Sequence, residues 1–176
     1  MKRIKMEELV FLFLDKLGIS YEVFPHAPIT TMEEGKVIID KLGFMPCKNL
    51  FLMNKQGRYF LLVMQGDKRF SAKDVARQIG GGHLSFASSE EMKAMLHAEQ
   101  GAASILGLIF DVKQQVQVLI DKDVLAGEYM ACHPCVNSCT IKLRMKDIIS
   151  ALLPTVHPRY LIVDLPAPCR PSASGR

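Results

Sequence analysis

Leu50-Phe51-Leu52-Met53 and Tyr59-Phe60-Leu61-Leu62-Val63-Met64, with Asn54-Lys55-Gln56-Gly57-Arg58 between them, decide the fold. Two apolar runs of strand length around a polar, glycine-containing link read as a β-hairpin. Neither run alternates apolar with polar residues, so both faces are expected to be covered and the hairpin to lie centrally in a sheet.

Working outward, Met6 to Leu17 is apolar on most faces and ends at Gly18, which predicts a helix, and Tyr21-Glu22-Val23-Phe24 predicts a strand. Pro25 and Pro28 force an irregular loop. Thr31-Met32-Glu33-Glu34 has the form of a capping box, opening a helix to about Leu42 that Gly43 stops. Beyond the hairpin, Ser71 to Ile79 reads as a helix halted by Gly80-Gly81-Gly82, and Ser88-Ser89-Glu90-Glu91 caps another reaching about His97. Leu106 to Phe110 and Val116 to Ile120 are strand candidates around a polar turn at Asp111 to Gln115, and Thr140 to Leu143 is another. Met145 to Leu153 is a last amphipathic helix before Pro154. Helices and strands interleave without a strict βαβ rhythm, which predicts an α/β domain, α+β-like, with a mixed sheet and flanking helices. Residues 1–163 form one expected domain; residues 164–176, rich in Pro, Ala, Ser and Gly, form an expected flexible tail.

A chain of 176 residues that is 49% hydrophobic can bury one sizeable core. Its formal charge of +4 permits an RNA partner without demanding one. The apolar run Leu9 to Leu14 is too short to span a bilayer and lacks a cleavage site, so no membrane role is expected. Five cysteines without a secretory signal imply free thiols and a cytoplasmic location.

Five stretches then line up with one family. They are Phe24-Pro25-His26-Ala27-Pro28 with Thr30 to Glu34; Cys47-Lys48-Asn49-Leu50-Phe51-Leu52; Gly101-Ala102-Ala103-Ser104-Ile105-Leu106-Gly107-Leu108; Val118-Leu119-Ile120-Asp121; and Cys132-His133-Pro134 leading to Asn137 and Thr140. In their order and spacing, over roughly Glu8 to Val163, the chain resembles the YbaK-like, prolyl-tRNA-synthetase-associated editing domains, and most closely the freestanding prolyl-tRNA deacylases that remove alanine. The resemblance implies that fold and a pocket that takes the aminoacylated adenosine end of a mischarged tRNA for proline and lets water attack the ester. It implies no metal, no other cofactor and no DNA, and leaves the prolyl-tRNA synthetase as a second candidate partner. The ribose hydroxyl of the substrate is expected to assist the water, so the protein would chiefly position groups.

Carried over residue by residue, the resemblance assigns Lys48, Gly101 and His133 to catalysis. An ammonium at Lys48 is a compact point charge suited to a terminal phosphate or the polar end of the substrate. Gly101 opens a loop whose backbone amides can face the substrate carbonyl without a Cβ clash. Where the family has glycine, three residues and proline, this chain has Ile105 in place of the proline. His133, with an intrinsic pKa near neutrality, is expected to recognise substrate rather than act as general base. Thr31, Asn49, Ala102, Ala103, Ser104, Ile105, Asn137 and Thr140 are the expected substrate-binding residues. Arg69, Lys73 and Arg77 recur every four residues across a predicted helix, a stripe able to contact acceptor-stem phosphates.

A site shaped for proline rejects alanine only weakly, because lost burial is worth about 1–3 kcal/mol per methylene. A second site too small for the proline ring removes the error by exclusion, and the small residues Ala102 to Ser104 suit one. Alternatives remain open: a deacylase of the same fold for cysteinyl-tRNA(Pro), a non-catalytic tRNA-binding relative, or a metal or thiol module built on Cys132, Cys135 and Cys139 beside His133, with Cys47, Cys169 or a distant histidine as a fourth ligand.

Overall fold

The structure, a computed structural model, describes residues 5–29, 34–35, 37–38, 47–99 and 101–167. Residues 31–33 of the expected capping box, most of the helix expected to follow it, and Cys169 lie outside the described residues.

The hairpin forms as the sequence predicts. Strand β2 (Cys47–Asn54) pairs antiparallel with β3 (Tyr59–Gln65), and Gly57 turns the link at φ +73° while the Asn54 carboxamide accepts from the amides of Gln56 and Arg58. It is the centre of a five-stranded mixed sheet. On one side β2 takes the short antiparallel β4 (Leu84–Phe86); on the other, β3 takes the parallel β5 (Val116–Asp121), which takes the parallel β8 (Tyr160–Val163). A separate antiparallel sheet of three strands joins β1 (Tyr21–Pro25), β7 (Cys139–Arg144) and β6 (Tyr129–Cys132).

Both faces of the five-stranded sheet are covered, which is why its central strands read as unbroken apolar runs. Leu61, Val63, Val118 and Ile120 point into the larger core, shared with the three-stranded sheet, helix α1 (Met6–Lys16) and helix α3 (Ser89–Leu96). Leu52, Leu62, Met64 and Leu119 point the other way, onto Val75 and Ala76 of helix α2 (Ala72–Gln78) and onto Leu165. The expected caps are in place: the Ser71 hydroxyl accepts from the Asp74 amide, and Ser88 and Glu91 satisfy each other's backbone amides at 3.1 and 2.7 Å.

Several expectations need correction. The run Leu106 to Phe110 is not a strand; Ile105–Ile109 forms a 3₁₀ helix capped by the Ser104 hydroxyl. The last helix does not stop before Pro154 but runs over 145–156, through a π-helical stretch at Ile148–Leu152, with Pro154 in the first turn of the segment after it, where its missing N–H matters least. Short strands β4, β6 and β8 and a helical turn α4 (Lys122–Leu125) join the predicted elements. The packed chain continues past residue 163, because Leu165 is buried and the Asp164 amide donates to the Gln78 side chain at 2.7 Å. Arg69 precedes α2, so the expected helical stripe reduces to Lys73 and Arg77, and Arg77 is already paired with Asp74 at 3.2 Å.

Candidate functional site

Three loops close on one another at the end of the three-stranded sheet. Residues 26–29 leave β1, residues 133–138 join β6 to β7, and Gly101 follows α3. The His26 amide donates to the Ser138 carbonyl at 3.0 Å, and the Ile29 amide to the Asn137 carbonyl at 3.3 Å. The Asn137 side-chain amide donates back to the Ile29 carbonyl at 2.6 Å. Gly101 adopts φ +81°, and a Cβ built on it would meet the Asn137 Nδ2 at 3.6 Å. The loop therefore needs glycine for its left-handed backbone more than for space.

His133 and Thr140 belong to the same group. His133 Nδ1 lies 2.8 Å from the Cys139 carbonyl, an acceptor only, so Nδ1 carries the proton and Nε2 presents a lone pair. Burial holds the His133 pKa below the ordinary histidine range; the Cys139 carbonyl offsets this in part, and His26 adds to the lowering. The His26 ring stands edge-on to His133 with centroids 5.9 Å apart. Its Nδ1 faces the Ala27 carbonyl at 2.8 Å and its Nε2 the Thr140 hydroxyl at 2.9 Å, so in the neutral ring the threonine hydroxyl donates to His26. His26 fixes the Thr140 rotor and the edge of His133, a role the sequence reading did not assign.

Of the 102–105 segment, Ala102, Ser104 and Ile105 are sealed in the core, and half-buried Ala103 has partial exposure. The Ser104 hydroxyl accepts from the Leu106 amide at 3.2 Å, which caps the turn that follows. Ile105 takes the first helical position after the Ser104 cap. That is the position where proline is also favoured, so a capped turn supplies locally the order that the family's proline would bring.

Lys48 is placed differently. Alternation along β2 sends Cys47, Asn49 and Phe51 toward the larger core and Lys48 toward the α2 side. Its ammonium donates to the Gly66 carbonyl at 3.2 Å and the Lys68 carbonyl at 2.5 Å, both in the turn after β3. Burial lowers the Lys48 pKa and the charge of Asp67 partly restores it. Lys48 nevertheless neighbours the other groups, since Cys47 beside it packs against the core that holds Cys132, Cys135 and Cys139. Asn49 presents a buried side-chain oxygen with no hydrogen-bond partner among the described residues, on the face toward Cys132. The structure thus brings Gly101, His133, Asn137 and Thr140 together and sets Lys48 on the opposite side of β2.

Thr31 lies outside the described residues. Two clefts among the described residues, of about 690 and 260 Å³, are lined elsewhere: the larger by residues including Arg58, Gly80 and Arg159, the smaller by residues including Tyr21, Tyr129 and Arg144. No three His, Cys, Asp or Glu side chains converge as a metal-ligand set among the described residues. Burial pushes the Cys135 and Cys47 thiols up to about 12 and the Cys132 thiol higher still, which keeps them protonated. No helix among the described residues is long and apolar enough to cross a membrane.

Comparison with known proteins bears on the family of the chain. The aminoacyl-tRNA editing domain matches residues 26–151. The chain is 34% identical over 144 residues to the prolyl-tRNA editing protein ProX of Acetoanaerobium sticklandii, covering 81% of this chain and 87% of that protein. It is 33% identical over 149 residues to prolyl-tRNA synthetase associated domain-containing protein 1 of Bos taurus, covering 82% and 86%. A solved structure of a candidate trans-editing enzyme for prolyl tRNA synthetase superposes with a TM-score of 0.71 at 16% identity, over 94% of this chain and 99% of that one, a likeness of fold.

Proposed function

We propose, from the premise that this chain belongs to the aminoacyl-tRNA editing domain family and is an aminoacyl-tRNA hydrolase of the prolyl-tRNA editing kind, that it removes alanine from mischarged tRNA for proline. The observation that carries the reading is the convergence of Gly101, Asn137, Thr140 and a neutral His133 on loops pinned to one another by backbone hydrogen bonds. Polar groups held on loops that are pinned to one another suit a reaction in which the protein chiefly positions an ester for attack by water. With its proton on Nδ1, His133 accepts at Nε2, which fits contact with the substrate's ammonium or hydroxyl groups.

Lys48 spends two of its three donors on carbonyls and has one left for the terminal phosphate. Exposed Arg69, Lys73 and Arg77 lie around α2, on the sheet face that Lys48 shares, where they suit acceptor-stem phosphates. Partly exposed Ala103 is the residue we assign to the amino-acid space, where a small side chain favours alanine over the proline ring. Cytoplasmic action on tRNA, alone or beside the prolyl-tRNA synthetase, is the setting this reading implies.

The test is hydrolysis of alanyl, cysteinyl and prolyl esters on the same tRNA, with Lys48→Ala in parallel. Alanine is expected to be released fastest, proline to be spared, and Lys48→Ala to lose most turnover while staying folded. Release of cysteine but not alanine overturns the substrate assignment; binding without release overturns the catalytic one.

A further inference from the structure

The least expected side chain in the molecule is Lys68. It is 1% exposed, and each of its three donors is occupied: Asp121 Oδ1 at 2.9 Å, Asp123 Oδ2 at 2.6 Å and the Leu165 carbonyl at 2.9 Å. A lysine so saturated has nothing left for a ligand. Nor does folding stability account for it, because a buried ion cluster seldom stabilises more than apolar residues of the same volume. What it does accomplish is geometric.

Lys68 lies in the turn after β3, and the cluster ties that turn to the end of β5 through Asp121, to the first turn of α4 through Asp123, and to the chain after β8 through Leu165. The same turn supplies the two carbonyls, Gly66 and Lys68, that hold the Lys48 ammonium. The Lys68 side chain and backbone thus face opposite tasks, one gripping the sheet end and the other gripping Lys48. We propose that Lys68, clamped by Asp121 and Asp123, is a positioning residue that fixes the Lys48 ammonium for substrate binding. The assignment rests on the reading of Lys48 as a substrate contact, and it adds a cause for where that contact stands. Without the clamp, the 66–68 carbonyls are free to move, and Lys48 regains the rotamers of an exposed lysine.

The experiment compares full-length Lys68→Met, Lys68→Arg and Asp123→Asn with the wild type, all first shown to be folded. One readout is the titration of the Lys48 amine, followed by ¹³Cε NMR or by pH-dependent amine labelling and mass spectrometry, which needs no substrate. The charged group acting on Lys48 is Asp67, within the turn and unchanged in all three variants. The other readout is kcat and KM for alanyl-tRNA for proline. In Lys68→Met the Lys48 titration is expected to move up toward that of an exposed lysine, with KM raised about tenfold and kcat changed less, as for one charged hydrogen bond lost from binding; Lys68→Arg is expected to recover part of both. A folded Lys68→Met in which Lys48 titrates as in the wild type overturns the proposal. Should Lys68→Met fail to fold, Asp123→Asn decides it: this variant keeps the Lys68–Asp121 pair and is expected to show the same shifts in smaller measure, and unchanged values overturn the proposal. If Lys48→Ala keeps full turnover, the functional reading of Lys48 falls, and the titration still tells whether Lys68 positions it.

Discussion

Gly107 offers a sharp measure of how the 101–109 segment is held. A Cβ built on it would come 2.8 Å from both the Cβ and the carbonyl oxygen of Leu96, the last residue of α3. Leu96 cannot yield easily: it is fully buried, and the residue after it, His97, caps the helix at φ +50° with its ring stacked on Phe110 at 4.7 Å. Gly107→Ala therefore has to push the 3₁₀ turn away from α3. Overpacking of this kind costs about 1–3 kcal/mol, and backbone resistance puts the expectation at about 2–3 kcal/mol. For a chain of this size that lowers Tm by about 4–12 °C. Calorimetry on the purified variant measures it. Leu96→Ala in the same background should bring no relief, since alanine keeps both clashing atoms. Gly101→Ala provides the contrast: its Cβ meets only ordinary contact at 3.6 Å, so its cost, about 1–2 kcal/mol, comes from the left-handed backbone, and Gly101→Asn should recover part of it. A Gly107→Ala chain that melts within a degree of the wild type would refute the close approach of 3₁₀ turn and helix.

Two further outcomes follow from buried groups. His133 and His157 both have pKa values lowered, chiefly by burial, so between the depressed native value and the ordinary value near 6.5 the unfolded chain binds more protons than the native one. Stability is then whole above about pH 6.5 and falls as pH drops below it; Tm measured from pH 7.5 downward should decline, and His133→Gln should flatten part of that slope, whereas an equal slope in the variant would deny His133 a buried neutral state. Cys47 and Cys135, raised to about 12, are almost wholly thiol at pH 8, so iodoacetamide should label them roughly a thousandfold more slowly in the native chain than in the denatured one. Labelling at the denatured rate would show the 132–139 segment open and revive the thiol alternative.

What could be read from the sequence was what local chemistry encodes. The β2–β3 hairpin carries its own signal in two unbroken apolar runs, and the Ser88–Glu91 capping box announces α3 through hydrogen bonds three residues long. Strands β4, β6 and β8, of three or four residues each, carry no periodicity worth reading, and they exist because a partner strand from elsewhere in the chain accepts them. Leu106 to Phe110 misleads for a related reason. A run of five residues with four apolar cannot declare its period, and the deciding facts are the Ser104 cap and the fit of Gly107 against Leu96. Among candidate site residues, the resemblance names Gly101, His133, Asn137 and Thr140, and the structure sets them near one another. Lys68 was not legible, because a lysine in a polar turn is ordinarily exposed, and its burial is made tolerable by distant partners, Asp121, 53 residues further on, with Asp123 and the Leu165 carbonyl.

The placement of Lys48 follows from strand geometry. Adjacent residues on β2 must face opposite sides, so a strand offering both Lys48 and Asn49 to one substrate can do so only at its end, where the sheet no longer separates the two faces. Cys47 begins β2, which puts both residues within the first three positions of the strand. On the proposed function, the ammonium addresses the phosphate from the α2 side, and the carboxamide and the His133 loop address the amino acid from the other. Such a division needs each half to be held independently. The molecule provides two clamps for it, the Asn137–Ile29 hydrogen bonds on one side and the Lys68–Asp121–Asp123 cluster on the other. Loosening either should therefore degrade one kind of contact and leave the other in place.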